Sequence, residues 1–178
     1  MGGRARVRAA GLALAAVMTL GAAAAQPAQD IARRHASSLT GVPQGPLPVS
    51  GSIYVPAYSS ISLSNDKLRA DFSVTLTIHN VSSERPLVLR RVAYFDTSGA
   101  LVQNYLSAPL ALKPFATVQV SIPATDTRGG TGANFVVDWA AEGSLAEPAV
   151  EALMLGSIAN ASYSFISQGR PIVRVGRD

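Results

Sequence analysis

Apolar and polar residues alternate with a period of two along much of the chain after residue 50. The clearest run covers residues 71–79, where serine, threonine and histidine separate the apolar positions. This pattern predicts a β-strand with one buried face and one face in water. The apolar positions of the run are Phe72, Val74, Leu76 and Ile78.

Shorter runs of the same kind recur between turn signals such as residues 80–83 and 96–99. About eight or nine short strands without a convincing long helix predict an all-β fold, an antiparallel β-sandwich that is immunoglobulin-like in the broad sense. A small β-barrel is the alternative. For residues 147–158 the sequence does not decide between a strand and a helix. The further strands are expected at residues 53–58, 87–95, 101–106, 118–122, 135–139, 150–155, 163–166 and 172–175.

The alternation also predicts a register, because one face of each strand must supply the core. The residues expected to share this core are Phe72, Val74, Leu76, Ile78, Val118, Val120, Ile122, Phe135, Val137 and Trp139. Their neighbours on the opposite faces are expected to be mostly exposed, and these are Ser73, Thr75, Thr77, Thr117, Gln119 and Ser121.

The first 25 residues have the three parts of a cleavable signal peptide: early arginines, an apolar stretch and an Ala-x-Ala site. Residues 26–50 contain four prolines and few large apolar groups, so we expect a flexible tether. Residues 51–175 then form a single domain. These features predict a periplasmic or secreted protein without stable membrane insertion after signal cleavage.

Charge and cysteine content narrow the possible functions. The chain has a net charge of +4, but three arginines lie in the predicted signal, so the remainder holds 12 basic and 11 acidic residues. A nearly neutral mature chain argues against nucleic-acid binding. Cysteine is absent, which excludes disulfides, thiolate nucleophiles and cysteine metal sites. We expect no cofactor.

Residues able to carry catalysis are few. The two histidines are His35, in the predicted tether, and His79, at a strand end. Common motifs for serine nucleophiles and zinc sites do not occur. The sequence therefore favours a non-enzymatic protein. Carboxylates remain as an alternative, since a glycosidase needs two of them on either side of one bond; the candidates are Asp138, Glu142, Glu147 and Glu151.

A glycine-rich segment, residues 125–135, is the first candidate binding site. Gly129, Gly130 and Gly132 permit positive φ and close backbone approach. The segment either turns the chain or forms a binding loop, and at least one glycine is expected to have positive φ. Surface tyrosines are a second candidate, as an aromatic platform. The candidate ligand-binding residues are Arg128, Asp126, Asn134, Tyr54 and Tyr58.

Two motifs are distinctive: the Tyr-Val-Pro sequence at 54–56, and Gly-Gly-Thr-Gly-Ala-Asn-Phe at 129–135 followed by Trp139. Further stretches at 76–80, 94–99, 147–156 and 164–170 accompany them. Over residues 51–172 the chain resembles a bacterial exported family known only as domain of unknown function 3124. That resemblance implies an exported protein, here without a lipoprotein cysteine. It implies no activity, ligand or catalytic residue.

The function favoured by the sequence is a non-enzymatic periplasmic binding or protein-interaction module, with an envelope protein or glycan as partner. A carboxylate-dependent hydrolase of envelope polysaccharide or peptide is the alternative, and a purely structural envelope component is a third. A close pair of buried carboxyl groups in a deep cleft would favour the enzyme. A shallow aromatic surface or an exposed sheet edge would favour the binding module.

Overall fold

The architecture is seen in a computed structural model, which describes residues 31–65, 67–158 and 160–176. The predicted signal peptide, residues 1–25, lies outside the described residues. A short helix, α1 (Ile31–Arg34), and one 3-10 turn, Ala36–Ser38, precede the strands. The strands are β1 (Leu39–Thr40), β2 (Val49–Pro56), β3 (Ser60–Leu63), β4 (Leu68–His79), β5 (Leu87–Phe95), β6 (Leu101–Asn104), β7 (Leu110–Leu112), β8 (Thr117–Ile122), β9 (Asn134–Ala141), β10 (Ala149–Ile158), β11 (Ala161–Gln168) and β12 (Arg170–Val175).

The strands form two antiparallel sheets packed face to face. The first sheet has the order β1-β7-β5-β9-β2-β12, with β6 also paired to β5. The second has the order β11-β10-β4-β3, with β8 also paired to β4. The sheets do not close into a barrel, so the predicted all-β sandwich is confirmed. None of the described helices is both long and apolar enough to cross a membrane.

The main core lies between the two sheets. All ten residues predicted for it belong to one buried cluster, which confirms the register. The opposite-face residues such as Thr75 and Gln119 are half-buried, whereas the alternation predicted mostly exposed side chains. On β4 the reason is its central position: β10 and β8 pair along its two sides and crowd the outer face.

Residues 147–158, which the sequence left open between strand and helix, contain strand β10. It pairs with β4 on one side and with β11 on the other. Alternate residues Val150, Ala152 and Met154 are buried in the main core. A two-residue period of burial is the pattern of a strand, and the two glutamates four residues apart did not produce a helix.

The described part of the predicted tether, from Ile31 onward, contacts the sandwich. Ile31 is buried in the main core, and Leu39 packs against that core while β1 pairs with β7. Val42 and Leu47 pack on a small second cluster, which consists of Val88, Ala111 and Ala140. The proline content dominated the sequence interpretation, but these scattered apolar residues are enough to hold the segment against the domain.

Candidate functional site

The glycine-rich segment 125–135 is held from two sides by hydrogen bonds to its backbone. On one side, the carbonyl of Gly129 accepts bonds from the backbone N and Oγ1 of Thr97, both at 2.9 Å, and that Oγ1 accepts from the N of Gly132 at 2.9 Å. On the other, the N of Ser59 donates to Gly130 at 3.2 Å. The segment therefore connects the 96–99 turn to the end of β2, which favours the structural interpretation of its glycines.

Two of the glycines meet different backbone requirements. Gly130 has φ +71°, which confirms the expectation of positive φ in this segment. Gly129 packs against the hydroxyl of Tyr94, and a Cβ there would lie 2.6 Å from the ring carbon Cζ and 2.7 Å from the Cβ of Ala133. Tyr94 itself is fully buried, and burial raises the pKa of its hydroxyl. An added Cβ at Gly129 would therefore press on a ring that is itself buried.

Gly129→Ala is therefore expected to destabilise the fold by about 2–3 kcal/mol, because overpacking forces side chains and backbone to shift. The matched control is Gly99→Ala. Unlike Gly129, Gly99 has positive φ, at +82°, and no atom lies within 4 Å of the added Cβ. We expect the control to lose only about 1 kcal/mol, from the φ alone. Urea unfolding measures the free energy of unfolding of both variants. Equal losses would show that the close packing around Gly129 is not what requires glycine there.

Arg128 and Asp126 form an ion pair at the start of the same segment. Nε and Nη2 of the arginine donate to the two carboxylate oxygens at 2.8 and 2.7 Å. This hydrogen bonding holds the pKa of Asp126 below its usual range and raises the pKa of Arg128. The arginine side chain is half-exposed, so the pair is a surface interaction that adds little to stability. The positive charge of Arg128 on this surface is therefore already paired with the carboxylate of Asp126.

Of the other predicted binding residues, Tyr54 and Asn134 share one face of the first sheet, and Tyr58 lies elsewhere. Tyr54 is on the outer face of the first sheet, where it pairs with Val136 of β9. Asn134, two residues before Val136, is on the same strand and face. Tyr58 follows the end of β2, and its ring packs on Phe165 of the second sheet with centroids 5.7 Å apart. The structure thus joins Asp126 to Arg128, and it forms no shared platform from Tyr54 and Tyr58.

A different surface stands out along one side of the sandwich. Strands β11 and β12 are the terminal strands of the second and first sheets. They are consecutive in the chain, with only Gly169 between them. We call the exposed apolar surface on these strands and the neighbouring β10 the lateral edge. Its six side chains are between 47% and 57% exposed, and they are Leu155, Tyr163, Ile166, Ile172, Val173 and Val175.

Gly169 allows the chain to pass from one sheet to the other. Its N donates to the carbonyl of Val150 at 2.7 Å. A Cβ at this position would lie 2.6 Å from Cγ2 of Ile53 in the first sheet and 2.7 Å from the Val150 carbonyl in the second. Only glycine permits such close contact with both sheets, as at other sandwich corners. The crossing places both terminal strands on the same side of the molecule.

A cleft of about 630 Å³ adjoins this edge on the second sheet. Leu155 and Tyr163 of the lateral edge belong to its lining, together with the carboxylate of Asp71. Asp71 accepts a hydrogen bond at 2.7 Å from Arg69. The remaining lining residues are small: Ala124, Gly156, Ser157, Ser162 and Ser164. The cleft therefore adds a surface rich in serine hydroxyl groups next to the apolar side chains of the lateral edge.

The lateral edge is not apparent from the sequence, for a physical reason. Ile172 and Val173 are adjacent apolar residues in a strand, a pattern typical of burial on both faces. Only the strand order shows that β12 has a neighbour on one side alone, β2. Two adjacent apolar residues also indicate a local irregularity in a strand. In the structure, the pairing of β12 with β2 shifts register between Pro171 and Val173.

Titratable side chains form no cluster of metal ligands among the described residues: no three histidine or acidic groups lie close enough to hold an ion.

Fold and site together define an all-β sandwich with an apolar edge. The chain belongs to the family described as protein of unknown function (DUF3124), which matches residues 50–172. This confirms the family resemblance seen in the sequence.

Two further comparisons complete this result. No curated protein matches the chain. A solved structure, described as "Crystal Structure of Thermotoga maritima 1070", is similar with a TM-score of 0.40 and 10% identity, covering 67% of this chain and 92% of that one.

Proposed function

We propose that the protein is an exported, non-enzymatic module that binds another protein through the lateral edge. The observation that carries this proposal is the concentration of exposed apolar side chains on β10, β11 and β12. Eleven large apolar residues of the described chain are exposed, and six of them belong to these three strands. A concentration of exposed apolar side chains on adjoining strands is typical of a protein-interaction site.

The backbone of the edge supports the same proposal. Terminal strands leave N–H and C=O groups without a neighbouring strand, and such strands are used to bind extended segments of other proteins. The exported location rests on the signal peptide predicted at residues 1–25. In that compartment the partner is an envelope or secreted protein. An envelope glycan, which the sequence also allowed, has less support here because the exposed groups are mainly aliphatic.

The hydrolase alternative gains no specific support from the carboxylates. Asp138, one of the sequence candidates, accepts hydrogen bonds from Ser52 at 2.6 Å and from Arg91 at 2.7 Å. Glu151, another candidate, accepts from the side chain of Gln168 at 2.9 Å. These two groups lie on different sheets, since β9 belongs to the first and β10 to the second. Hydrogen-bonded carboxylates on separate sheets suit a structural role.

Site-specific photo-crosslinking in the producing cell tests the proposal. A photoreactive residue at position 166 or 172 is expected to capture one and the same partner, identified by mass spectrometry of the adduct. Positions 101 and 115 are matched controls: Leu101 and Phe115 are apolar residues at least as exposed as Ile166 and Ile172, and they lie outside the lateral edge. Adducts that are absent at 166 and 172, or identical at all four positions, would refute the proposed function.

A further inference from the structure

We propose that the outer face of the first sheet binds a glycan chain whose sugar rings carry carboxylate groups. The inference goes beyond the proposed function, because it concerns a second site and a different class of ligand. Two aromatic residues carry it, Tyr54 on β2 and Phe95 on β5. Their neighbours Val55 and Tyr94 belong to the main core, so both aromatic side chains lie on the opposite, outer face of the sheet.

The two aromatic residues stand on either side of β9. Tyr54 pairs with Val136 of β9, and Phe95 pairs with Asn134, two residues earlier on the same strand. Two strand spacings and two residues along the strand separate them, which is about 12 Å between their Cα atoms. Asn134 is on the same face of the strand between them. Two rings with an amide between them suit an oligosaccharide, because sugar C–H groups pack on aromatic rings and sugar hydroxyl groups bond to amides.

The described N-terminal segment covers a different part of this face. Val42 and Leu47 pack on the small second cluster, which includes the start of β5 and the end of β9. Phe95 and Asn134 lie at the opposite ends of these two strands, where both side chains are half-buried. The part that the segment covers is aliphatic, whereas the part beyond it combines rings with polar groups. Such a surface suits a polar ligand better than a second apolar segment.

The charges on this face favour an acidic ligand. Arg170 of β12 pairs directly with Tyr54, so its side chain lies on the same face, and it is exposed. None of the ion pairs among the described residues includes Arg170. Asp138 is the only acidic residue on β2, β5, β9 and β12, and it already accepts hydrogen bonds from Ser52 and Arg91. Arg170 is therefore a cation beside an aromatic ring, placed to donate to a carboxylate of the ligand.

The position of the rings within the sheet favours a glycan over an acidic peptide. Extended peptides gain much of their affinity from backbone hydrogen bonds at an open strand edge. Here β9 is paired with β2 on one side and with β5 on the other, along the stretch that carries the site. The backbone groups below the rings are therefore already in use, and side chains alone can recognise the ligand.

Fluorescence anisotropy on the full mature chain tests the inference. The probes are labelled hexamers of two carboxylated sugars, galacturonate and mannuronate, and the matched controls are their methyl esters, which keep the rings and remove the charge. We expect at least one acid hexamer to bind about tenfold more tightly than its ester, because the ester cannot accept a charge-assisted hydrogen bond from Arg170. Binding of neither acid hexamer, or equal binding of acid and ester, would overturn the inference. A glutamate hexapeptide that bound as tightly would also overturn it.

Variants of the protein locate the site. Tyr54→Ala and Arg170→Gln are each expected to weaken binding of the acid hexamer about tenfold, whereas Tyr54→Phe keeps the ring and retains binding. The matched controls are Tyr163→Ala, at an exposed tyrosine of the second sheet, and Arg85→Gln, at an exposed arginine in the loop before β5; both are expected to bind normally. Melting temperatures confirm that each variant folds. Binding that survives both Tyr54→Ala and Arg170→Gln would overturn the inference. Capture at positions 166 and 172 tests the proposed function separately, so either result can fail alone.

Discussion

Replacing Trp139 by alanine is expected to lower the free energy of unfolding by about 3–5 kcal/mol, the usual loss for a large buried aromatic residue. Trp139 is 1% exposed and lies on β9, between its pairing partners Gly51 of β2 and Leu89 of β5. Gly51 accommodates the indole: a Cβ there would lie 2.7 Å from its Nε1. The neighbouring backbone cannot easily collapse into the vacated space.

Urea unfolding measures this loss, with two variants for comparison. Trp139→Phe keeps a ring in the same place and is expected to lose less than the alanine variant. Leu101→Ala removes an apolar side chain that is 59% exposed, so we expect a change within about 0.5 kcal/mol. A loss below about 1 kcal/mol for Trp139→Ala would contradict the burial of the indole.

The second large effect is expected at Asn80, which is 2% exposed at the end of β4. Its Nδ2 donates to the carbonyl of Arg85 at 2.8 Å, and also lies 3.0 and 3.3 Å from the carbonyls of Lys113 and Leu112. Its Oδ1 accepts from the N of Ser82 at 3.1 Å. One amide group thus joins the loop after β4 to the turn between β7 and β8.

Asn80→Asp is expected to destabilise the fold by about 3 kcal/mol. The change removes the amide donor and puts a negative carboxylate among carbonyl oxygens that are then left without a partner. Asn104→Asp is the matched control, because that side chain is exposed and its Oδ1 acts as an acceptor from Leu106, a role that a carboxylate preserves. Thermal unfolding at neutral pH compares the two. A loss of less than about 1 kcal/mol at Asn80 would show that the amide contributes little.

Local alternation was sufficient to predict the sandwich and its register. Phe72 to Ile78 and Val118 to Ile122 lie on central or paired strands with one face on the core, where a period of two is a direct consequence of strand geometry. The same logic could not place Ile31, Leu39, Val42 and Leu47. They are isolated apolar residues whose contacts come from strands distant in sequence.

The candidate site was less predictable than the fold. Residues 125–135 attracted attention because glycine is a strong local signal, and the structure shows those glycines serving the contacts to Thr97 and Tyr94. The lateral edge depends instead on strand order. Whether Ile172 and Val175 are covered or exposed follows from which strand lies beside β12, and a long-range pairing of that kind leaves no periodic mark in the sequence.

Hydrogen exchange of the backbone amides, measured with and without the partner captured at positions 166 and 172, tests the central claim most directly. We expect exchange to slow along β12, residues 170–175, because a bound segment would cover this open edge. Exchange in β6, residues 101–104, should stay the same. Slowing confined to the glycine-rich segment 125–135, or binding that leaves β12 unchanged, would contradict binding at the lateral edge.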